Sequence, residues 1–300
     1  MAHVIIVGNR NAGGGRASHA LPRLLTALRD AGHGITVVDE PTVEAASTAI
    51  AGIGRADALI ACGGDGTVHL TLQHALARGL PLGIVPAGSG DDAARAVGLP
   101  HGRRRRDLAH AITHCVTHLD DARPVDVIRA TAADGTSEAY LGVLACGFDS
   151  HVNARANGMR FPPGTAKYVV AMLRELRTFR PIPYRLEMPD TTVDITGMLV
   201  AVGNGSTYGG GMRVCPGADV RDGVAELLVV GALPRPAFLR LFPRVFSGTH
   251  VRHPVTRVLS ARECVLHAPG EIAYADGERI GPTPVQLVVE PLAVRVIGAP

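Results

Sequence analysis

The sequence predicts a two-domain protein, an α/β domain built on a parallel sheet followed by a β-rich domain. Three observations carry this. Apolar strands alternate with helical patterns through the first 126 residues, which is the signature of parallel βα units. Glycine-rich turns fall at the ends of those strands, where open parallel sheets bind ligands. After Pro124 strand-like runs separated by Gly/Pro turns predominate. A length of 300 residues exceeds one typical core and suits two.

In order, His3–Val7 reads as a first strand, followed by the loop Gly8–Arg16 and a helix over Ser18–Ala31. Ile35–Val38 is a second strand and Val43–Ile53 a second helix. Ala58–Cys62 forms a third strand, and a helix over Thr67–Ala77 stops at Arg78-Gly79. Leu82–Val85 is a fourth strand, and the helix Asp91–Val97 stops at Gly98. Beyond Pro124, Tyr140–Ala145, Gly197–Val202, Ala225–Val230 and Val285–Glu290 read as strands, interrupted by helices near Thr165–Phe179 and Arg235–Phe246. The domains are expected at 1–126 and 127–291, with a tail at 292–300 returning to the first.

Composition excludes several classes. The five cysteines (Cys62, Cys115, Cys146, Cys215 and Cys264) are scattered with no CxxC pair, against a disulfide framework or structural zinc. They read as small buried hydrophobes in a reducing compartment. The opening MAHVIIVGNR has no basic leader and reads as a strand, not a signal peptide. No apolar run approaches the ~20 residues that span a bilayer, so membrane contact is expected to be peripheral. A net charge of +3 gives no indication of nucleic acid as a partner. Lys167 is the lone lysine, and GK[ST] is absent, so any nucleotide is held without a Walker lysine.

Three turns carry chemistry. Asn9-Arg10-Asn11-Ala12-Gly13-Gly14-Gly15-Arg16 could cradle a phosphate with its amides, with Arg16 neutralising charge. Gly63-Gly64-Asp65-Gly66-Thr67 places an acid among phosphate-type amides, which suggests a cation between them. Pro86-Ala87-Gly88-Ser89-Gly90-Asp91-Asp92-Ala93-Ala94-Arg95 repeats strand, glycine turn and helix start, with Ser89 able to donate to a phosphate. Each has a bland reading: a structural turn for the first, a turn acid and helix cap for Asp65 and Thr67, and helix capping for Asp91 and Asp92. Three such turns on one sheet edge favour a common ligand.

GGDGT followed by PAGSGDDAAR resembles the catalytic domain of diacylglycerol and sphingosine kinases and the bacterial soluble lipid kinases. The resemblance continues through Cys146-Gly147-Phe148-Asp149, Gly203-Asn204-Gly205, Gly209-Gly210-Gly211-Met212, the stretch Pro216–Gly223 and Asp276-Gly277-Glu278, and so covers nearly the whole chain. GGDGT alone is shared with NAD kinases and some phosphofructokinases. The resemblance implies a nucleotide-binding α/β domain and a sandwich-like second domain, with the active site in the cleft between them. It implies that Asn9, Arg10, Asn11, Ala12, Gly13, the Gly63–Thr67 turn (Gly63, Gly64, Asp65, Gly66, Thr67) and Ser89 hold ATP. It makes Glu278 the catalytic base and Asp126 a supporting acid, with Asp65 helping to place Mg²⁺. Asp219 and Val224, through carbonyls, and Asp222, through its carboxylate, match a structural divalent-metal loop. On residues alone, Asp-Gly-Glu reads as a hairpin turn.

The pattern departs from the family in places. Arg10 stands where Pro is usual, and Val68-His69-Leu70 where a hydrophobic residue, Asn and Glu follow GGDGT. Ser89, Asp91 and Ala93 occupy the usual Thr, Asn and Phe positions, and Asp39 that of a nucleotide-touching Thr.

The expected activity is ATP- and Mg²⁺-dependent phosphorylation of a lipid hydroxyl, diacylglycerol first among acceptors. The alternatives are an NAD kinase and a catalytically silent lipid- or nucleotide-binding regulator. A lipid substrate implies a cytoplasmic protein peripherally bound at the inner face of the membrane, with a homodimer left open. Phe238, Leu239, Leu241, Phe242, Val245 and Phe246 beside Arg235, Arg240, Arg244, Arg252 and Arg257 suit an anionic bilayer, as do Tyr168, Met172, Leu176 and Phe179 beside Arg174 and Arg177. Core-facing helices with solvated arginines are the competing reading.

Overall fold

The computed structural model describes residues 1–9, 12–159 and 166–300. Arg10 and Asn11 of the first loop, and Thr165 at the expected start of a helix, lie outside the described residues. The chain forms two units, Met1–Val127 with Pro291–Pro300, and Ile128–Glu290.

The first unit carries strands β1 (His3–Gly8), β2 (Gly34–Val38), β3 (Ala58–Gly63) and β4 (Leu82–Pro86). Helices α1 (Arg16–Asp30), α2 (Val43–Gly52), α3 (Asp65–Arg78), α4 (Asp92–Ala96) and α5 (Arg105–Thr117) follow them. β1 pairs in parallel with both β2 and β3, and β3 with β4. The end of β15 (Val285–Ile297) adds in parallel to β4 through Val296 and Leu82. β3 and β4 are buried along their whole length, as sheets covered on both faces must be. Leu24, Leu28, Ile6 and Ile60 anchor the core, at about 1.5–3 kcal/mol for each such side chain fully buried. Because β2 and β3 flank β1 on opposite sides, the strand order reverses beside β1. The turns after β1 and β3 therefore sit at the topological switch point.

Helix starts in the first unit differ from expectation; α1 begins at Arg16 rather than Ser18. α3 begins at Asp65, two residues before the expected start, because Gly64 in an extended conformation opens it without a side-chain cap. Thr67 is thus inside the helix rather than capping it. α5 is not foreseen by the strand–helix reading, although Leu108, Ala111, Ile112 and Cys115 lie buried at spacings of three, one and three. Its start is held by the Asp107 carboxylate, which accepts from the Arg104 amide at 2.9 Å.

The second unit is antiparallel and β-rich. Strand β5 (Ala122–Ala132) enters it, and β6 (Ser137–Tyr140), β7 (Val143–Gly147), β8 (Ile182–Met188), β9 (Thr191–Gly203) and β10 (Ala225–Gly231) follow. β11 (Thr256–Ala261), β12 (Glu263–His267), β13 (Ile272–Ala275) and β14 (Glu278–Pro282) complete it with β15. The strands run β14-β13-β7-β9-β8-β12-β15, with β10 and β11 branching from β9. One core gathers Leu144, Val202, Leu227, Leu266 and Leu287. A second packs α6 (Phe148–Gly158), α7 (Ala166–Thr178) and α8 (Arg235–Leu241) on the sheet through Phe148, Phe179 and Phe238. α6 is a helix the sequence pattern does not announce, since only Phe148, Ser150 and Ala156 of its residues are buried. The segment Phe242–Ser247 continues α8 as a 3₁₀ turn, so the expected single helix Arg235–Phe246 is two pieces. All five cysteines are free and buried. Burial pushes the thiols of Cys62, Cys115, Cys146 and Cys264 up to about 12, so they behave as small hydrophobes.

Candidate active site

In the first unit the three glycine turns interlock. A Cβ on Gly13, whose φ is +60°, would stand 2.1 Å from the Ala87 carbonyl oxygen, so the first turn lies backbone to backbone on the third. A Cβ on Gly88 would stand 2.5 Å from the Gly64 Cα, so the third lies equally close on the second. The Ala87 amide donates to the Gly63 carbonyl at 2.7 Å, continuing the β3–β4 pairing into the turns. Only glycine permits such approach. The result is a glycine-floored surface at the carboxyl ends of β1, β3 and β4, with the first turn of α3 opening from it.

Two charged side chains fix this arrangement. The Arg16 guanidinium donates to the Gly88 carbonyl at 2.5 Å and the Gly102 carbonyl at 2.5 Å, and pairs with Asp91 at 3.4 Å. The sequence reading aimed Arg16 at a phosphate; here it clamps the first turn to the third. Asp91 takes the left-handed conformation (φ 56°) at the head of α4, and its carboxylate accepts from the Gly88 amide at 3.0 Å. Burial pushes the Asp91 carboxyl up, opposed by Arg16. Asp65 is half-buried, and its carboxylate accepts from the Ala93 amide at 3.0 Å, tying the second turn to α4. Ser89 is exposed at the tip of the third turn, and Asn9 is exposed at the end of β1. Thr67 is buried against Gly63. Of the first-loop candidates, Gly13 is placed in this cluster, while Arg10 and Asn11 fall outside the described residues.

Asp126 is buried on β5, and its carboxylate accepts from the Leu292 amide at 2.7 Å. Leu292 has φ 52°, an uncommon conformation for a branched side chain, and this bond holds it.

In the second unit, Asp276-Gly277 is the two-residue turn between β13 and β14, with φ of 51° and 91°. Positive φ at both positions is the hairpin geometry the residues suggested. The turn is anchored by more than its backbone. The Asp276 carboxylate accepts from the amides of Leu141, Gly142 and Val143, each at 3.1 Å. A Cβ on Gly142 would stand 2.4 Å from Asp276 Oδ1, so that approach needs glycine. Asn204, fully buried, donates to the Leu141 carbonyl at 3.0 Å and so supports the same loop from behind. Asn153 of α6 donates to the Gly277 carbonyl at 3.0 Å. Glu278 follows as an exposed residue at the start of β14. The motifs Gly203-Asn204-Gly205 and Asp276-Gly277-Glu278 thus belong to one network that fixes where Glu278 enters β14. Asn153 carries no sequence signal, because α6 itself is not foreseen.

Nearby, Asp149 accepts a hydrogen bond from the Tyr208 hydroxyl, and burial pushes its carboxyl up to about 6 against that bond. His151 donates to Glu271 at 2.7 Å, and this bond raises its pKa.

Among the described residues, no group of three or more His, Cys, Asp or Glu side chains is placed to hold a metal ion. The Asp219–Val224 loop offers a different donor set. Its side chains bond locally, Asp219 accepting from the Arg221 amide at 3.1 Å and Asp222 from the Val224 amide at 3.0 Å. Glu226 Oε1 is buried without a hydrogen-bond partner, and burial with the charge of Asp222 pushes that carboxyl up. An unbonded carboxylate oxygen within electrostatic reach of Asp222 is the kind of donor that a hard oxygen-seeking cation takes.

The helices read as amphipathic divide their apolar residues between core and surface. Leu176, Phe179, Phe238 and Leu241 are buried. Tyr168, Val169, Leu173, Leu239 and Phe246 are 39–57% exposed. Arg174, Arg177, Arg235, Arg240 and Arg244 are exposed with them. Among the described residues no helix is long and apolar enough to cross a membrane.

Comparison with known proteins shows the family of both units. Residues 3–130 match the family model for the diacylglycerol kinase catalytic domain. Residues 142–298 match that for the YegS C-terminal NAD kinase beta sandwich-like domain. A "Diacylglycerol kinase" of Mycobacterium tuberculosis (strain ATCC 25618 / H37Rv) is 37% identical over 242 residues, covering 80% of this chain and 76% of that protein. A "Probable lipid kinase YegS-like" of Stenotrophomonas maltophilia is 30% identical over 240 residues, covering 75% of each. Among solved structures, the crystal structure of a diacylglycerol kinase from Bacillus anthracis str. Sterne superposes with a TM-score of 0.68 at 19% identity, over 99% of this chain and 96% of that one. That likeness concerns the fold.

Proposed function

The chain belongs to the diacylglycerol kinase family and is a phosphotransferase of the lipid-kinase type; from that premise we propose that it transfers the γ-phosphate of ATP to the hydroxyl of diacylglycerol. The observation that carries the nucleotide half is the interlock of the Gly13, Gly63–Gly64 and Gly88 turns at the switch point of a parallel sheet. Their amides and the first turn of α3 provide donors for phosphate oxygens, which no lysine needs to supplement. Ser89, exposed at the tip of the third turn, supplies a hydroxyl donor to the same oxygens.

Phosphoryl transfer depends on positioning and charge neutralisation more than on covalent chemistry. Glu278 accepts the proton of the attacking hydroxyl. As a weak base for an alcohol, it does so late, when the transition state has made that hydroxyl acidic. Asp276, Asn153 and Asn204 hold the Glu278 backbone so that this carboxylate is presented without reorganisation. Mg²⁺ held with ATP near Asp65 would supply charge neutralisation of the transferring group, and a second divalent ion in the Asp219–Val224 loop would be structural. Asp126 supports the site by fixing the chain at Leu292.

The acceptor resides in a bilayer, and the exposed Val169, Leu173, Leu239 and Phe246 beside exposed arginines support peripheral docking on an anionic surface. Such docking suits a protein working at the cytoplasmic face.

The test is transfer of labelled γ-phosphate by wild type and Glu278→Ala, with Mg²⁺, to diacylglycerol micelles, a native lipid extract, or NAD. The expected result is chloroform-soluble product from diacylglycerol, falling by about 10²–10⁴-fold in the variant, with the KM for ATP little changed. Label found only in NADP would overturn the lipid reading.

A further inference from the structure

Apart from the glycine turns, the first unit contains a groove of about 620 Å³ that none of the chemistry above uses. It lies between α5, the loop Gly98–His101 and the tail Gly298–Pro300. Its polar lining is His101, His110, His114 and His118, with Asp121 and Arg123. Three of the histidines follow one another at intervals of four residues, His110 and His114 on α5 and His118 at its C-terminal cap, which stacks their rings on one face. The rings of His114 and His118 are 4.2 Å apart, and those of His110 and His114 6.2 Å apart.

The hydrogen bonds decide which nitrogens carry protons. A backbone carbonyl only accepts, so a ring nitrogen facing one must be N–H. His101 Nδ1 faces the Leu99 carbonyl at 2.8 Å, His118 Nδ1 faces the His114 carbonyl at 2.9 Å, and His114 Nε2 faces the Gly298 carbonyl at 2.8 Å. Each of these rings therefore has one nitrogen committed as a donor. The other is a bare lone pair while the ring is neutral. Protonation turns each bare nitrogen into an N–H donor and adds a positive charge.

We propose that this groove is a proton-gated binding site for an oxyanion of the phosphate or sulfate class. Neutral, it offers lone pairs that repel an anion. Protonated, it offers imidazolium donors on a lining that also holds Arg123, whose planar fork matches such oxyanions. Charged rings 4.2 Å apart repel one another, so an anion set against them relieves a strain that solvent only screens. Three negative groups set the balance of charge here: Asp91, whose carboxyl His101 draws down electrostatically, Asp121, and the carboxyl of Pro300; with the histidines neutral they outweigh Arg123 and disfavour an anion, and protonated imidazoles reverse that balance. Asp121 faces Arg123 at 3.7 Å, with both exposed, which tempers the arginine without removing it. The tail residues Gly298, Ala299 and Pro300 bring no ionisable side chain. Leu99, Pro100 and Ala299 give the groove an apolar wall that a lipid-borne phosphate could use as readily as a free one.

Histidine is the side chain that changes charge between about pH 5 and 8, and this sets the experiment. Histidine ring signals of the full chain are followed by NMR during addition of sodium sulfate, against sodium chloride at equal ionic strength, at acid and alkaline ends of that range. Sulfate keeps its charge throughout. The expected result is a joint, saturable movement of the His101, His114 and His118 signals at the acid end, with affinity at least about tenfold weaker at the alkaline end. Inorganic phosphate and vesicles of phosphatidylcholine containing phosphatidic acid form two further arms. Acid-dependent sedimentation with the vesicles, lost in His101→Leu/His118→Leu, identifies a lipid headgroup as the source. Ion binding without sedimentation identifies a free anion. Either supports the site. Absence of saturable movement in wild type at the acid end would overturn the proposal, as would equal affinity at both ends. So would undiminished sulfate binding by a folded double variant.

Discussion

Replacing Asp276 tests whether a single carboxylate holds the Glu278 hairpin. In the native chain it accepts from three amides, Leu141, Gly142 and Val143, each at 3.1 Å. Hydrogen bonds to a charged group contribute about 1.5 kcal/mol each at the lower end, and partial access of water reduces the total to about 3 kcal/mol. Asp276→Ala also places alanine at φ 51°, at about 1 kcal/mol. The sum is about 4 kcal/mol, a fall in melting temperature of roughly 8–16 °C for a domain of this size. Asp276→Asn tolerates the left-handed backbone and keeps one accepting oxygen, so about half the loss is expected. Because the chain has two units, a single melting temperature blends their transitions. Hydrogen exchange at Leu141, Gly142 and Val143 localises the effect, and those amides should lose protection first. Asparagine should also lower kcat while leaving the KM for ATP unchanged, since the base is displaced and the glycine turns are untouched. If Asp276→Ala melts within about 2 °C of wild type with the three amides still protected, the anchoring argument is wrong.

Two other substitutions probe separate parts of the molecule. Gly88→Ala sets a Cβ 2.5 Å from the Gly64 backbone, so the turns must part; calorimetry should show ATP affinity reduced at least about tenfold, with α4 loosened in hydrogen exchange. Asp149→Asn addresses stability against pH. The folded carboxyl is raised to about 6 from an unfolded value of about 3.9, so the folded state binds the proton more tightly and loses stability as pH rises through that interval. Above it the loss is complete at up to about 3 kcal/mol, and asparagine, which carries no charge, should flatten urea-unfolding stability between about pH 4 and 7.

The parts of this fold that were legible in the sequence are those where information is local. Strand β3 shows itself as an apolar run ending in two glycines, and Gly79 and Gly98 end helices in the left-handed conformation their position suggests. The hairpin at Asp276-Gly277 is likewise a local signal. What remained hidden depends on partners distant in sequence. Arg16 is spent on the carbonyls of Gly88 and Gly102, more than seventy positions away, and nothing in its own loop shows that. The start of α3 moved because an extended glycine, not a capping side chain, opens it. α5 was obscured by an arginine run and by histidines spaced through its apolar positions, and with it the groove they line. The candidate site divides in the same way: the glycine turns could be named from the sequence, but the contact of one turn's backbone on another's could not.

The tail Pro291–Pro300 belongs to the first unit, and this shapes how a ribosome must deliver the molecule. Val296 pairs beside Leu82 on β4, Gly298 donates to the Asp121 carbonyl at 2.8 Å, and Ile297 packs into the first core. None of these contacts exists until Pro291–Pro300 has left the exit tunnel. Until then the first unit waits with the edge of β4 unpaired, a surface on which a neighbouring nascent chain can add a strand. At about 5–20 residues per second, the second unit takes on the order of ten seconds to be made, and the edge stays open throughout. Completion of the first-made part by a segment made after the whole second unit makes synthesis a single commitment: a chain stopped short of β15 leaves the ribosome with its first sheet unsealed.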